Sequence, residues 1–285
     1  MSAIRLAVTF AVVAALYARS VNAGDVEAPP EPTLIAHPIG GETYLSTSDI
    51  VVSGAIDSQS NVFIVRLKDA AGVICQEAGG DTAGDKSKGL WAIRLTLRRP
   101  WTAGKHQFEA HEVAGPRRSV QITIIDDERH RAAGRLGTIS ELSDEEVDRL
   151  PIVSFPEMNV RSTDTDKLNL SPTSKVTGQK EAARSLTLVP GKPFGLAGSI
   201  RLEQPPKFKF APVVLQIVEA RQSEEGEKID VIVNEDFAEP EKTETGFQFA
   251  KPLNAPIVEG RYTLRALYRR SKLCETVVEL KSGGK

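Results

Sequence analysis

The sequence predicts an all-β protein of two antiparallel β-sandwich domains joined by a largely irregular linker with one short helix. Three observations carry this. Apolar and polar residues alternate with period two in short runs, broken about every 8 to 12 residues by Gly, Asp or Pro. A polar, Pro-interrupted stretch divides two such regions. The two regions end in runs that align without a gap.

The first region spans residues 33–127. Ile50-Val51-Val52-Ser53-Gly54 is an extended run, and Val62 to Leu67 puts Phe63, Val65 and Leu67 on one face with Arg66 and Lys68 on the other. Asp69-Ala70-Ala71-Gly72 supplies a turn, after which Val73-Ile74-Cys75 resumes the extension. Trp91, Ile93, Leu95 and Leu97 point inward from Leu90–Leu97, and His106–Glu112 and Val120–Ile125 complete the set. Residues 128–184 form the linker. In it Ser143 can cap a short helix, Glu146 completes a capping box, Val147 and Leu150 give an apolar face, and Pro151 ends it. The second region, residues 185–281, carries runs at 185–189, 194–202, 212–219, 228–233, 246–250 and 262–280, with Val213, Leu215 and Ile217 alternating inward. Residues 282–285 are a tail.

The repeat joins 103–124 to 259–280 at a constant offset of 156, as from Gly104 to Gly260. Lys105 matches Arg261, His106 matches Tyr262, Phe108 matches Leu264, and Ala110 matches Ala266; Val120, Ile122 and Ile124 share phase with Thr276, Val278 and Leu280. Before the strand, Trp101 matches Ile257. Each region therefore ends on the same last pair of strands, and Tyr262 near the start of its strand resembles the tyrosine corner of immunoglobulin-like sandwiches.

In the first region Pro38, Gly40-Gly41, Val52-Ser53-Gly54, Asn61 to Leu67, Asp69, Gly72, Gly89-Leu90-Trp91, Gly104 and Phe108-Glu109-Ala110 follow in order. This resembles the bacterial immunoglobulin-like domains of secreted and surface proteins, with an ending similar to the spore-germination type. The resemblance covers roughly a third of the chain, and Gly115-Pro116-Arg117-Arg118 stands where the family has an Asp-Gly turn. It implies a non-catalytic module that spaces, docks or binds outside the cytoplasm, with no catalytic residue to carry over. The second region joins as a looser sandwich of the same general kind.

The chain has 285 residues, 40% hydrophobic and 26% charged, with 36 Lys+Arg against 38 Asp+Glu. That composition builds a core and lacks the cationic excess that phosphate neutralisation requires, so no nucleic-acid partner is expected. Residues 1–23 read as a secretory signal: Arg5, then the apolar run Leu6–Ala18, then Val21-Asn22-Ala23 before Gly24. The apolar run spans about 20 Å as a helix, short of a bilayer core of about 30 Å. The expectation is cleavage after Ala23, a Pro-rich leader at 24–32, no membrane span, and a secreted, periplasmic or cell-surface location. The compartment permits disulfides; with one thiol in each region, Cys75 and Cys274 are read as separate, with a bridge between the regions as the alternative.

The candidate chemistry is sparse, and no enzyme, cofactor or metal is expected. No Gly-x-Ser-x-Gly turn accompanies His37, His106, His111 or His130, and His106 and His111 point to opposite faces of a strand. Asp164-x-Asp166 begins like a calcium loop, but Asn169 stands at the glycine position and Lys175 at the bidentate end. Asp126-Asp127-Glu128 reads as a charged strand exit, with a peripheral cation site as the alternative. Arg98-Arg99, Arg117-Arg118 and Arg269-Arg270 are paired cations near strand ends, placed to discourage edge pairing or to meet an anionic polymer. Trp91 belongs to the core face. Trp101 is either an end plug or a stacking platform for a sugar. The candidate ligand contacts are accordingly Trp101, Arg98, Arg99, Arg117 and Arg118, the partner a protein or a cell-envelope polysaccharide. The expected function is a non-enzymatic extracytoplasmic binding or structural module; the alternative is a polysaccharide-binding accessory of a hydrolase system.

Overall fold

Alternation becomes burial along most of the chain. The computed structural model describes residues 34–55, 62–81, 93–97, 101–112, 117–133, 142–155, 158–160, 186–202, 211–223, 226–268 and 271–282, all within one compact unit, Glu31–Lys285. The signal and leader expectations lie outside the described residues.

The first region contributes β1 (Leu34–His37), β2 (Thr43–Leu45), β3 (Ile50–Ala55), β4 (Val62–Lys68), β5 (Ile74–Asp81), β6 (Ile93–Leu97), β7 (Gly104–Glu112) and β8 (Arg118–Ile125). The middle gives α1 (Glu128–Ala133), α2 (Asp144–Val147), β9 (Ile152–Ser154) and β10 (Met158–Val160). The second region gives β11 (Leu186–Leu188), β12 (Pro193–Leu202), β13 (Val213–Gln222), β14 (Lys228–Ala238), β15 (Glu241–Lys242), β16 (Gly246–Asn254), β17 (Gly260–Tyr268) and β18 (Ser271–Leu280). The described chain is nearly all β.

Three sheets result. One is β1-β3-β6, and a second is β10-β12-β16-β15 with β9 also on β12. The third runs β11-β18-β17-β13-β14-β2-β8-β7-β4-β5 and so takes strands from both regions. Its joint is β2, which pairs parallel with β14 on one side and with β8 on the other. One core gathers Phe63, Val65, Leu67, Phe108, Ile122 and Ile124 of the first region. A second gathers Phe194, Leu215, Phe247, Tyr262, Leu264 and Val278.

The repeat holds at the level of hydrogen-bonded register. Gly104 opposes Ile124, His106 opposes Ile122 and Phe108 opposes Val120; Gly260 opposes Leu280, Tyr262 opposes Val278 and Leu264 opposes Thr276. Both glycines have positive φ, 135° and 154°, a conformation that a Cβ disfavours. The Tyr262 hydroxyl donates to the Val258 carbonyl at 2.8 Å, which is the geometry of a tyrosine corner. The plug positions differ: Trp101 is buried, whereas Ile257 is exposed.

Two features depart from the alternation pattern. On β13, Val214, Gln216 and Val218 are buried as well as Val213, Leu215 and Ile217, because the second face is covered by the first region. Val214 packs with Val51 and Leu267, and Val218 and Ile232 join the first core. In the middle segment the capped helix is present as α2, with the Ser143 amide donating to Glu146 at 2.9 Å. The segment also carries α1 and two edge strands. Asp127 Oδ1 accepts the Arg129 amide at 2.8 Å and starts α1, while β9 and β10 pair parallel to β12 over three residues each. Strands that short, one on either side of Pro156, leave no period to read.

Candidate functional site

Of the five sequence-derived contact residues, Arg98 and Arg99 lie outside the described residues, as do Trp91, Arg269-Arg270 and the Asp164-x-Asp166 loop. Trp101 is 6% exposed. Its Nε1 donates to the Ser48 carbonyl at 2.9 Å and its amide to the Ser46 carbonyl at 2.8 Å, so the ring packs into the first core. Arg117 and Arg118 are exposed. Because Arg118 opposes Ala110 while Gly104 opposes Ile124, these arginines and Trp101 sit toward opposite ends of β7, about 20 Å apart. They do not form one site. His106 faces the core and His111 the other side of β7, each largely buried. Burial, with Arg66 and Arg117 near, pushes the His111 pKa down. Cys75 and Cys274 are free thiols, and burial raises both, Cys274 to about 12.

The structure gathers its chemistry-bearing groups elsewhere, in two clusters where the regions meet. The first surrounds His37 at the end of β1. His37 and Glu235 of β14 are each 0% exposed at the side chain and lie 2.9 Å apart, Nε2 to Oε2. Glu235 Oε1 accepts the Val51 amide at 2.5 Å, and its Oε2 accepts Gln216 Nε2 at 3.2 Å. Gln216 Nε2 also donates to Glu42 Oε1 at 2.9 Å, and Tyr44 donates to Glu42 Oε2 at 2.9 Å. Burial alone would lower the His37 pKa, but Glu235 and Glu42 outweigh it and raise it to about 9. Burial pushes the Glu235 carboxyl up, against the pull of His37. Ser48 Oγ adds donations to the carbonyls of Ile232 and Val233 at 2.8 and 2.9 Å.

The second cluster lies where the chain leaves β8. Asp127, His130 of α1 and Glu219 of β13 bring one ligand atom each within 4.8 Å of one another, a donor set of imidazole and two carboxylates that suits a divalent ion. Here cationic side chains already hold those oxygens. Arg221 bridges Asp127 Oδ2, at 2.6 Å, and Glu219. Arg129 reaches Asp127 Oδ2 at 3.0 Å and Glu219 Oε1 at 3.4 Å. Two guanidiniums match two carboxylates in charge, so an incoming metal ion would have to displace them. His130 is 6% exposed, with Nε2 3.4 Å from Glu219 Oε2. Despite burial, which opposes it, hydrogen bonds from Arg129 and the charge of Arg221 hold Asp127 down to about 2. His130 and Arg221 likewise hold Glu219, also against burial, down to about 2.

An imidazole beside a carboxylate can serve as a general base. In the first cluster, however, the carboxylate is spent on an amide, an amide side chain and the imidazole itself. What both clusters do with their charge is bind one region of the chain to the other. Sequence reasoning missed them because their members are far apart in the chain, as His37 is from Glu235; each residue alone reads as an ordinary strand or turn residue.

No family model and no curated protein matches the sequence. Among solved structures it is similar to fibronectin(III)-like modules of Clostridium thermocellum CbhA, at 11% identity over 88% of this chain and 93% of that one, TM-score 0.22. It is also similar to invasin, described as a bacterial integrin-binding protein, at 10% identity over 88% of this chain and 39% of that one, TM-score 0.23. The BSP domain of a biofilm-associated protein aligns at 8% identity over 89% of this chain and 30% of that one, TM-score 0.27.

Proposed function

We propose that the chain is a non-catalytic extracytoplasmic module: a stiff pair of joined sandwiches that spaces or docks at the cell surface and meets its partner through its outer faces. The observation that supports this reading most is the commitment of the buried His37 and Glu235, and of the partly buried Asp127 and Glu219, to contacts between the regions. Charges paired in this way hold geometry; they are not presented to a substrate. The shared sheet, with β2 seated between β14 and β8, adds stiffness along the same seam. The reading of residues 1–23 as a secretory signal places the module outside the cytoplasm.

Two measurements test it together. The mature chain is expected in the culture medium or periplasmic fraction, with its N-terminus at Gly24 by mass spectrometry. On panels of glycoside, ester and peptide substrates it is expected to give no turnover above buffer. Turnover that disappears in a His37→Gln or Glu219→Gln variant would overturn the non-catalytic reading, and a cytoplasmic, uncleaved chain would overturn the location.

A further inference from the structure

The first cluster crosses from one region to the other on six separate pieces of chain. His37 comes from β1, Glu42 from the turn after it, Tyr44 from β2, the Val51 amide from β3, Gln216 from β13 and Glu235 from β14. The charged or titratable groups facing His37 are Glu235, Glu42 and Tyr44. We propose that this cluster is a proton-held latch, in which the proton shared by His37 and Glu235 keeps the two regions acting as one body and its loss lets them unfold separately.

With the proton present, one positive and one negative group sit together at 0% exposure, each neutralising the other. Without it, a neutral imidazole faces two carboxylates, and the buried charge on Glu235 loses the cation beside it. An uncompensated buried charge is among the costlier defects a fold can carry. The sign follows from the direction of the shift. The folded-state value of His37, about 9 against 6.5, means its contribution is complete below 6.5 and disappears as pH rises through 9. Few other groups obscure that window, because burial moves Cys274 and Tyr44 above it and ordinary lysines titrate near 10.4.

The test follows the full mature chain by two signals. Both tryptophans, Trp91 and Trp101, belong to the first region, so their fluorescence reports that region, while far-UV circular dichroism reports all strands. At pH 7 the two thermal transitions are expected to coincide. Near pH 10 the fluorescence transition is expected to fall below the dichroism transition by about 5 °C. In His37→Gln, which cannot take up the proton, the split is expected already at pH 7 and unchanged to pH 10. Coincident transitions in the unsubstituted chain at pH 10, or a pH step in His37→Gln equal to that of the unsubstituted chain, would overturn the latch. Should His37→Gln not fold, the imidazole titration of the unsubstituted chain by NMR decides: a His37 midpoint near 9 supports the latch, and one near 6.5 overturns it.

Discussion

Glu235 and Tyr262 are single residues whose side chains do work that neither neighbour in sequence could do. Removing the Glu235 carboxylate leaves the His37 imidazole buried without its partner and the Val51 amide without an acceptor, and Glu235→Ala is expected to cost about 3 kcal/mol or more in urea unfolding. The double variant His37→Leu/Glu235→Leu should recover most of that, since the fully buried pair then carries no charge. A loss in the double variant equal to that of Glu235→Ala would mean that the site is held by shape instead of charge. Tyr262→Phe removes only the bond to Val258 and is expected to cost about 1 kcal/mol; no change would mean the corner is ornamental. Acid acts on the other cluster. Asp127 and Glu219, held down to about 2, contribute stability that is complete above their ordinary values and lost as pH falls from about 4.5 toward 2. The urea midpoint should therefore drop across that interval, and drop less in Arg221→Met, whose carboxylates keep Arg129 but lose one of their two guanidiniums. Tyr262 was legible beforehand through its phase and its glycine two residues earlier. Glu235 was not, because a Glu between Asn234 and Asp236 looks like a solvent-facing residue until β1 and β3 are laid over it.

At the scale of the element, legibility followed the length of the run. β4 shows the alternating burial that Phe63, Val65 and Leu67 announce. The hairpins β7–β8 and β17–β18 match in register as well as in sequence. β9 and β10 were read as linker, since three residues cannot establish a period and parallel pairing on an existing edge needs no turn signal. β13 was half legible: its inward row is plain, whereas its second buried row belongs to a partner strand distant in sequence. The pairing of β12 with β16 rests on small residues. A Cβ on Gly246 would lie 2.0 Å from the Ile200 carbonyl oxygen, and one on Gly198 would lie 2.6 Å from the Phe249 ring. Gly246→Ala meets backbone that cannot swing aside, and is expected to cost about 3 kcal/mol. Gly198→Ala meets the end of an aromatic side chain and should cost less. Equal thermal shifts for the two would contradict this account of the strand pair.

For the whole molecule, two regions that read as separate sandwiches are joined by a shared sheet and by two charged clusters. The sequence carried the all-β class, the repeat and the polar middle, because those depend on neighbours in the chain. It did not carry the joint, because β2 is three residues long and its partners, β8 and β14, are set by contacts between regions. The proposed spacing role needs that joint to be stiff, and β2 is the strand that makes it. Hydrogen exchange of the full chain at pH 7, read by mass spectrometry, tests this most directly. The amides of Thr43, Tyr44 and Leu45 are expected to exchange as slowly as those of β8 and β14, and to open with them. Fast exchange at Thr43–Leu45, while β8 and β14 remain protected, would mean a hinge instead of a joint and would contradict the account.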